Sequence, residues 1–137
     1  MYHFYRLEQK DYRVSAEQMQ WKLEGNTALL PSMRTDISLI HKREQKKIVM
    51  DAKFYKNVFQ EFHGKASFHS HNMYQLFTYL MHQNPEQEVR GILIYPFNGS
   101  DVDETYLWDE RVKMEILTVN LNDSWKAIYE RLVSVVS

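Results

Sequence analysis

The sequence predicts an α/β fold with elements in the order α-β-β-β-α-β, and three observations carry that expectation. Residues 34–40 and 47–55 are apolar-flanked runs at strand spacing, joined by the charged stretch HKREQKK. Met73, Leu76, Phe77, Leu80 and Met81 recur at three- and four-residue spacing, which lays an apolar stripe along a helix. GILIYP at 91–96 is apolar almost throughout, the pattern of a strand covered on both faces.

In chain order, residues 2–10 read as the tail of a helix with Phe4, Tyr5 and Leu7 on its buried side. Residues 12–24 alternate apolar and polar through Val14, Ala16, Met19, Trp21 and Leu23, as a strand does, with an irregularity near Glu17. Gly25-Asn26 turns the chain, and Pro31 restricts the approach to the strand at 34–40. The strand at 47–55 follows. Residues 56–69 show no period and read as a loop, with His63, His69 and His71 in or beside it. The helix over 72–83 stops at Asn84-Pro85, because proline disfavours helical geometry in the residue before it. After the buried strand at 91–96 come strands at 104–109 and 112–119. A last helix, capped by Asn122 or Asp123, would turn Trp125, Ile128, Tyr129, Leu132 and Val133 inward. No repeat, low-complexity tract or linker interrupts the chain, so residues 1–137 are expected to form one domain.

Composition narrows the chemistry. The 137 residues contain 44% hydrophobic and 26% charged residues, which is globular composition with enough apolar side chain for a core. There is no cysteine, so disulfides, thiolate zinc sites, iron–sulfur clusters and cysteine nucleophiles are excluded. No apolar run reaches the roughly 18–20 residues of a membrane span. The N-terminal MYHFYRLEQ lacks the basic-then-apolar order of a secretory signal, which makes the cytoplasm the expected compartment. A net charge of −1 speaks against strong generic nucleic-acid binding. The charge is uneven, however. Residues 34–65 hold eight Lys/Arg against four acids, and residues 86–123 hold nine acids against three bases. A phosphate-tracking surface is permitted in the basic half, and solvated charge on a hairpin tip is the plainer reading of HKREQKK.

The chemistry concentrates at Asp36, Asp51 and Lys53. Alternation puts Asp51 and Lys53 on one side of a strand, with Asp36 on the neighbouring strand. Two carboxylates and an ammonium make a costly core but a sensible seat for a hard divalent cation beside a phosphate. Mg²⁺ takes one or two carboxylates plus water and phosphate oxygens, and Mn²⁺ can stand in its place. Asp36 and Asp51 supply that minimum, with a backbone carbonyl at Ala52 as a third oxygen. Lys53 is then placed to orient or deprotonate the attacking water, or to neutralise charge on the phosphate. The bland alternative is a surface ion pair at D-x-K, with Asp36 as a turn or edge residue. His63, His69, His71 and His82 match no common zinc spacing, and exposed loop histidines are the simpler reading. Gln75 and Tyr79, four apart on one helical face, would by themselves be boundary residues.

LLPSMRTDISL, IVMDAKFY, HSHNMYQLFTYL and GILIYP, in this order, resemble the catalytic region of McrC, the nuclease subunit of the McrBC modification-dependent restriction systems. The resemblance runs from about Tyr5 to the C-terminal helix. It implies a PD-(D/E)xK restriction-endonuclease-like core: a mixed central sheet flanked by helices. Thr35-Asp36 is similar to that superfamily's first acidic motif, Asp51-Ala52-Lys53 to its D/E-x-K, and Gln75 with Tyr79 to the Q-x-x-x-Y helix motif of its exonuclease-like branch. Implied with them is a Mg²⁺-dependent DNA endonuclease, in which Gln75 helps position DNA or the metal site. Target choice would belong to a McrB-like AAA+ GTPase partner that recognises modified cytosine. The chain itself has no Gly-rich phosphate loop for GTP.

Two departures from the family pattern are expected to matter. The family's N-terminal partner-docking region is expected to have no counterpart in these 137 residues. The acid of an L-F-E segment in the first helix is also missing, and Glu8 is not expected to replace it. The chain reads as an excised catalytic domain, a short open reading frame or a remnant of a restriction locus. A shortened first helix would leave apolar surface open, so association as a two-fold homodimer is expected. A reading of another class is a non-catalytic module that keeps the nuclease fold to dock a partner.

Overall fold

The strand periods seen in the sequence assemble around one long apolar strand. The structure, a computed structural model, describes residues 1–53, 59–62 and 64–137. Its elements are α1 (Tyr2–Glu8), β1 (Tyr12–Ser15), β2 (Gln18–Met19), a 3₁₀ turn (Thr27–Leu29), β3 (Met33–Arg34), β4 (Ile37–His41) and β5 (Lys46–Ala52). These are followed by β6 (Phe59–Phe62), β7 (Lys65–Phe68), α2 (Ser70–Met81), β8 (Glu88–Pro96), β9 (Asp103–Leu107), β10 (Val112–Val119) and α3 (Trp125–Val135).

Six strands form the main sheet in the order β1-β4-β5-β8-β10-β9. β1, β4 and β5 form an antiparallel meander; β8 then runs parallel to both β5 and β10, and β9 closes the far edge antiparallel. The expected order α-β-β-β-α-β is therefore present as α1, β1, β4, β5, α2 and β8, with further strands inserted and appended. β8 lies between two parallel neighbours and is buried from Gly91 to Tyr95, as its unbroken apolar run requires.

Alternation divides the core into two layers. On one side Val49, Leu93, Met114 and Ile116 pack with Leu76, Tyr79 and Leu80 of α2. On the other, Ile37, Leu39, Ile48, Met50, Ile92 and Ile94 pack with Tyr5 of α1 and with Leu132 and Val135 of α3. Tyr5 Oη donates to the carbonyl of Leu132 at 2.9 Å, tying the two helices of that layer together. No helix among the described residues is long and apolar enough to cross a membrane.

Several sequence expectations need correction. The strand expected at 12–24 leaves the sheet after Ser15; Gln18–Met19 pairs instead with Met33–Arg34 in a separate two-stranded ribbon. Apolar alternation survives such a corner, because it reports which face a residue takes and not which strand it pairs with. The expected strand at 34–40 is likewise broken at Thr35-Asp36, and the strand at 47–55 is seen as Lys46–Ala52, with 54–55 outside the described residues. The loop expected at 56–69 contains the β6–β7 hairpin, with Gly64 at φ +77° in its turn; 56–58 and His63 lie outside the described residues. The hairpin's residues show no regular apolar alternation in the sequence, which is why it reads as a loop. α2 starts two residues early, at Ser70. Ser124, rather than Asn122 or Asp123, caps α3, its Oγ accepting from the Ala127 amide at 3.2 Å. Leu7 and Trp125 are exposed, while Val135 and Val136 at the other end of α3 take the buried places.

Gly91 marks the closest approach of α2 to the sheet. A Cβ there would stand 2.9 Å from both Leu80 methyls and 3.1 Å from Leu76 Cδ1. Gly91→Val should therefore overpack the layer and cost about 1–3 kcal/mol. Urea unfolding should show it as a lower midpoint at unchanged m.

Candidate functional site

The register of β4 on β5 brings the two acids together. Ile37 pairs with Met50, so the next step along both strands sets Asp36 opposite Asp51. Asp36 stands in the gap between β3 and β4, exposed, and its Oδ2 accepts from the Ala52 amide at 3.3 Å. Asp51 lies within β5 and is 3% exposed, turned to the α2 side with Val49. Lys53 follows on the same face, its Nζ 3.1 Å from Asp51 Oδ2. α2 closes the group from above. Lys53 Nζ reaches Gln75 Oε1 at 3.5 Å, Gln75 Nε2 donates to Tyr79 Oη at 2.9 Å, and Tyr79 Oη donates to the Arg34 carbonyl at 2.9 Å. Thr35 is buried, its Oγ1 within 2.8 Å of Ser38 Oγ. The seven residues singled out in the sequence, from Thr35 to Tyr79, thus form one connected cluster.

Its electrostatics are those of a site short of positive charge. Burial and, after it, the neighbouring Asp36 carboxyl together raise the Asp51 carboxyl from 3.8 to about 7, against the opposing pull of Lys53. Asp51 Oδ2 has Lys53, but Oδ1 is buried with no hydrogen-bond partner among the described residues. A buried acceptor in that state costs stability unless something meets it. A hard divalent cation fits: the two carboxylates supply the one or two protein oxygens that Mg²⁺ or Mn²⁺ takes beside water and phosphate. Among the described residues no three His, Asp or Glu side chains gather at one point, so the protein side chains offered to a cation are the two carboxylates.

The remaining candidates are dispersed. His69 precedes α2 and stacks on Tyr95, with ring centroids 6.1 Å apart. His71 is exposed on α2, and His82 at its end meets Trp21 edge-on and bonds the Thr78 carbonyl. Two of these three are half-buried against α2 or β8, so the exposed-loop reading holds only in part. Glu8 accepts from Tyr129 Oη at 2.7 Å, on the sheet face opposite Asp51, in line with its exclusion from the site. The basic tip at 42–47 sits at the start of β5 while Asp51 sits near its end, roughly 15 Å away at strand rise. A phosphate-tracking surface there would not adjoin the acids.

Sequence reasoning missed four polar groups. Asn72 is fully buried, donates to Tyr95 Oη at 2.8 Å, and leaves its own Oδ1 without a partner. Its position was a readable signal: Asn72, Leu76, Leu80 and Gln83 follow helical spacing, so an asparagine occupies the core stripe. Ser38 bonds Thr35 three residues before it, and Glu17 and Lys47 bond across separate elements, where no local pattern announces them.

A family model described as McrBC 5-methylcytosine restriction system component matches residues 2–96, a span that contains the whole cluster. The chain is 32% identical over 141 residues to the Type IV methyl-directed restriction enzyme EcoKMcrBC of Escherichia coli strain K12. That alignment takes in 98% of this chain but 40% of the relative, so the chain spans well under half of the curated protein. In fold it is similar to a chain of the half-complex from the tetradecameric assembly of Thermococcus gammatolerans McrB AAA+ hexamers with bound McrC. The TM-score is 0.62 at 12% identity, over 98% of this chain and 31% of that one.

The raised Asp51 carboxyl has a stability consequence with a definite sign. Between 3.8 and about 7 the folded chain holds a proton on Asp51 that the unfolded chain has lost, so this group's contribution falls as pH rises through that window. Asparagine does not titrate. In metal-free buffer Asp51→Asn should match the parent's melting temperature near pH 4 and exceed it by a widening margin up to about pH 8. A constant difference across that range would show that Asp51 does not titrate as its surroundings require.

Proposed function

The chain belongs to the McrBC 5-methylcytosine restriction system component family, and from that premise we propose that it is the metal-dependent DNA endonuclease region of such a system, hydrolysing phosphodiester bonds. The observation that carries this reading is the buried, unpartnered Oδ1 of Asp51, set opposite Asp36 and beside Lys53.

Asp36 and Asp51, with the Ala52 carbonyl, would hold Mg²⁺ or Mn²⁺. When bound, the cation supplies charge stabilisation on the phosphate and a more acidic water. Lys53 is held by Asp51 on one side and Gln75 on the other, which keeps its ammonium at the edge of the acid pair. From there it orients the attacking water and offsets charge on the phosphate oxygens. Gln75 and Tyr79 bridge α2 to Lys53 and to the Arg34 carbonyl, so they hold the helix beside the acid pair. The solved Thermococcus assembly places McrC with McrB AAA+ hexamers, and EcoKMcrBC is methyl-directed. By that likeness, a McrB-like GTPase partner would choose the modified-cytosine target for this chain.

A non-catalytic docking module remains the second reading, favoured by the near-neutral charge and by the distance between the basic tip and the acids.

Calorimetry with Mn²⁺ and cleavage of methylated plasmid with a purified McrB-type partner separate the two. For the nuclease, Asp51→Asn should abolish both Mn²⁺ binding and cutting. Lys53→Ala should lower turnover by about 10²–10⁴-fold while Mn²⁺ affinity stays within a few-fold. Undiminished cutting by Asp51→Asn would remove the site, and a parent chain that binds no Mn²⁺ would favour the docking module.

A further inference from the structure

The corner between β1 and β2 is bonded more heavily than a surface bend requires. Both carboxylate oxygens of Glu17 accept from Lys47 Nζ, at 2.8 and 2.7 Å. Lys47 belongs to β5, on the same face as Asp51, and its side chain is 6% exposed. The Glu17 backbone is engaged as well: its amide donates to Thr35 Oγ1 at 3.0 Å and its carbonyl accepts from the Thr35 amide at 2.9 Å. Thr35 is thereby bracketed from both sides, and Asp36 is the next residue.

We propose that the Lys47–Glu17 ion pair is a positioning device for Asp36. The pair ties the residue-17 backbone to β5; that backbone holds Thr35; and Thr35 aims the Asp36 carboxylate at Asp51 and the Ala52 amide. Asp36 needs such help. It is exposed, it stands in a gap between strands, and the Ala52 amide reaches its side chain only at 3.3 Å. Stability alone is a poor account of the pair, since a buried ion pair is often no better for stability than apolar side chains of similar volume. Lys47 and Asp51 share one rigid strand, so the clamp and the acid it serves keep a fixed spacing. The geometric claim stands without a metal; its functional meaning rests on the metal site proposed above.

Amide hydrogen exchange on the metal-free chain reads the positioning directly, because the Ala52 amide donates to Asp36. Lys47→Met and Thr35→Val should each speed exchange at Ala52 about tenfold while mid-strand Val49 stays within about twofold. Combining them should add little, since both cut one path. Mn²⁺ affinity should fall about tenfold in each under conditions where the chain is fully folded. Should Lys47→Met not fold, Glu17→Gln keeps the shape and one hydrogen bond and should give the same signature in smaller measure. Equal acceleration at Ala52 and Val49, additive losses, or unchanged Ala52 exchange would overturn the proposal. A parent chain that binds no Mn²⁺ would sink the metal reading, while Ala52 exchange would still decide the clamp.

Discussion

Strand β5 pairs antiparallel with β4 on one side and parallel with β8 on the other, and this double pairing sets most of what the molecule can do. A strand with neighbours on both edges and helices on both faces is driven inward along its length, whatever its side chains are. Ile48, Val49 and Met50 gain from that burial. Asp51 does not, and it is carried inside because its neighbours are. The result is a carboxylate that favours a proton at pH values where an ordinary aspartate is ionised, with one oxygen unmet. The same register that buries Asp51 sets Asp36 across from it. The site is thus a by-product of sheet pairing, made useful by which residues stand at its end.

The two faces of the sheet divide the labour. The side covered by α1 and α3 is packed almost wholly with aliphatic side chains, and its buried polar link, Tyr5 to the Leu132 carbonyl, joins helix to helix. The α2 side is mixed. Leu76 and Leu80 press on Gly91 and hold the helix close, while Gln75, Tyr79 and Asn72 bring amide and hydroxyl groups down to the strand ends. Close packing at one point of α2 makes hydrogen bonding possible at another, because a helix held at Gly91 cannot drift from Lys53. Most polar groups on this side are met by bonds that cross between elements, and Asp51 Oδ1 and Asn72 Oδ1 are the exceptions among the described residues.

Membership of the McrBC component family and the arrangement of the acids are two different kinds of observation. The family match rests on residue identities along the chain, whereas the pairing of Asp36 with Asp51 rests on strand register. The chain spans 40% of its E. coli relative, so the partner and target of the larger protein bear on this chain as proposals about a shared region. The charge pattern accords with such a division. A nearly neutral chain whose basic tip lies at the far end of β5 gains little from DNA phosphates by itself, and a partner would have to bring the duplex to the acids.

Local periodicity was enough to place α2, β8 and β10, since burial stamps a repeat of 3.6 or 2 on consecutive residues. It was also enough to put Asp51 and Lys53 on one face, because alternation is a property of the strand alone. The corner at residues 16–17 was legible only as an irregularity near Glu17, and the break at Thr35-Asp36 was not legible, since pairing with segments remote in the chain decides both. The β6–β7 hairpin read as a loop because residues 59–68 carry no clear apolar period. Asn72 was half legible, as a polar residue in an apolar stripe whose acceptor, Tyr95, no spacing could name. Glu17 and Lys47 were legible only as charges. By itself, then, the sequence determined which residues could share a face and which residue types could hold a cation. The tertiary structure alone decided that Asp36 stands opposite Asp51, that Asp51 is buried deeply enough to hold its proton, and that Lys47 meets Glu17, because each depends on register and burial contributed by segments remote in the chain.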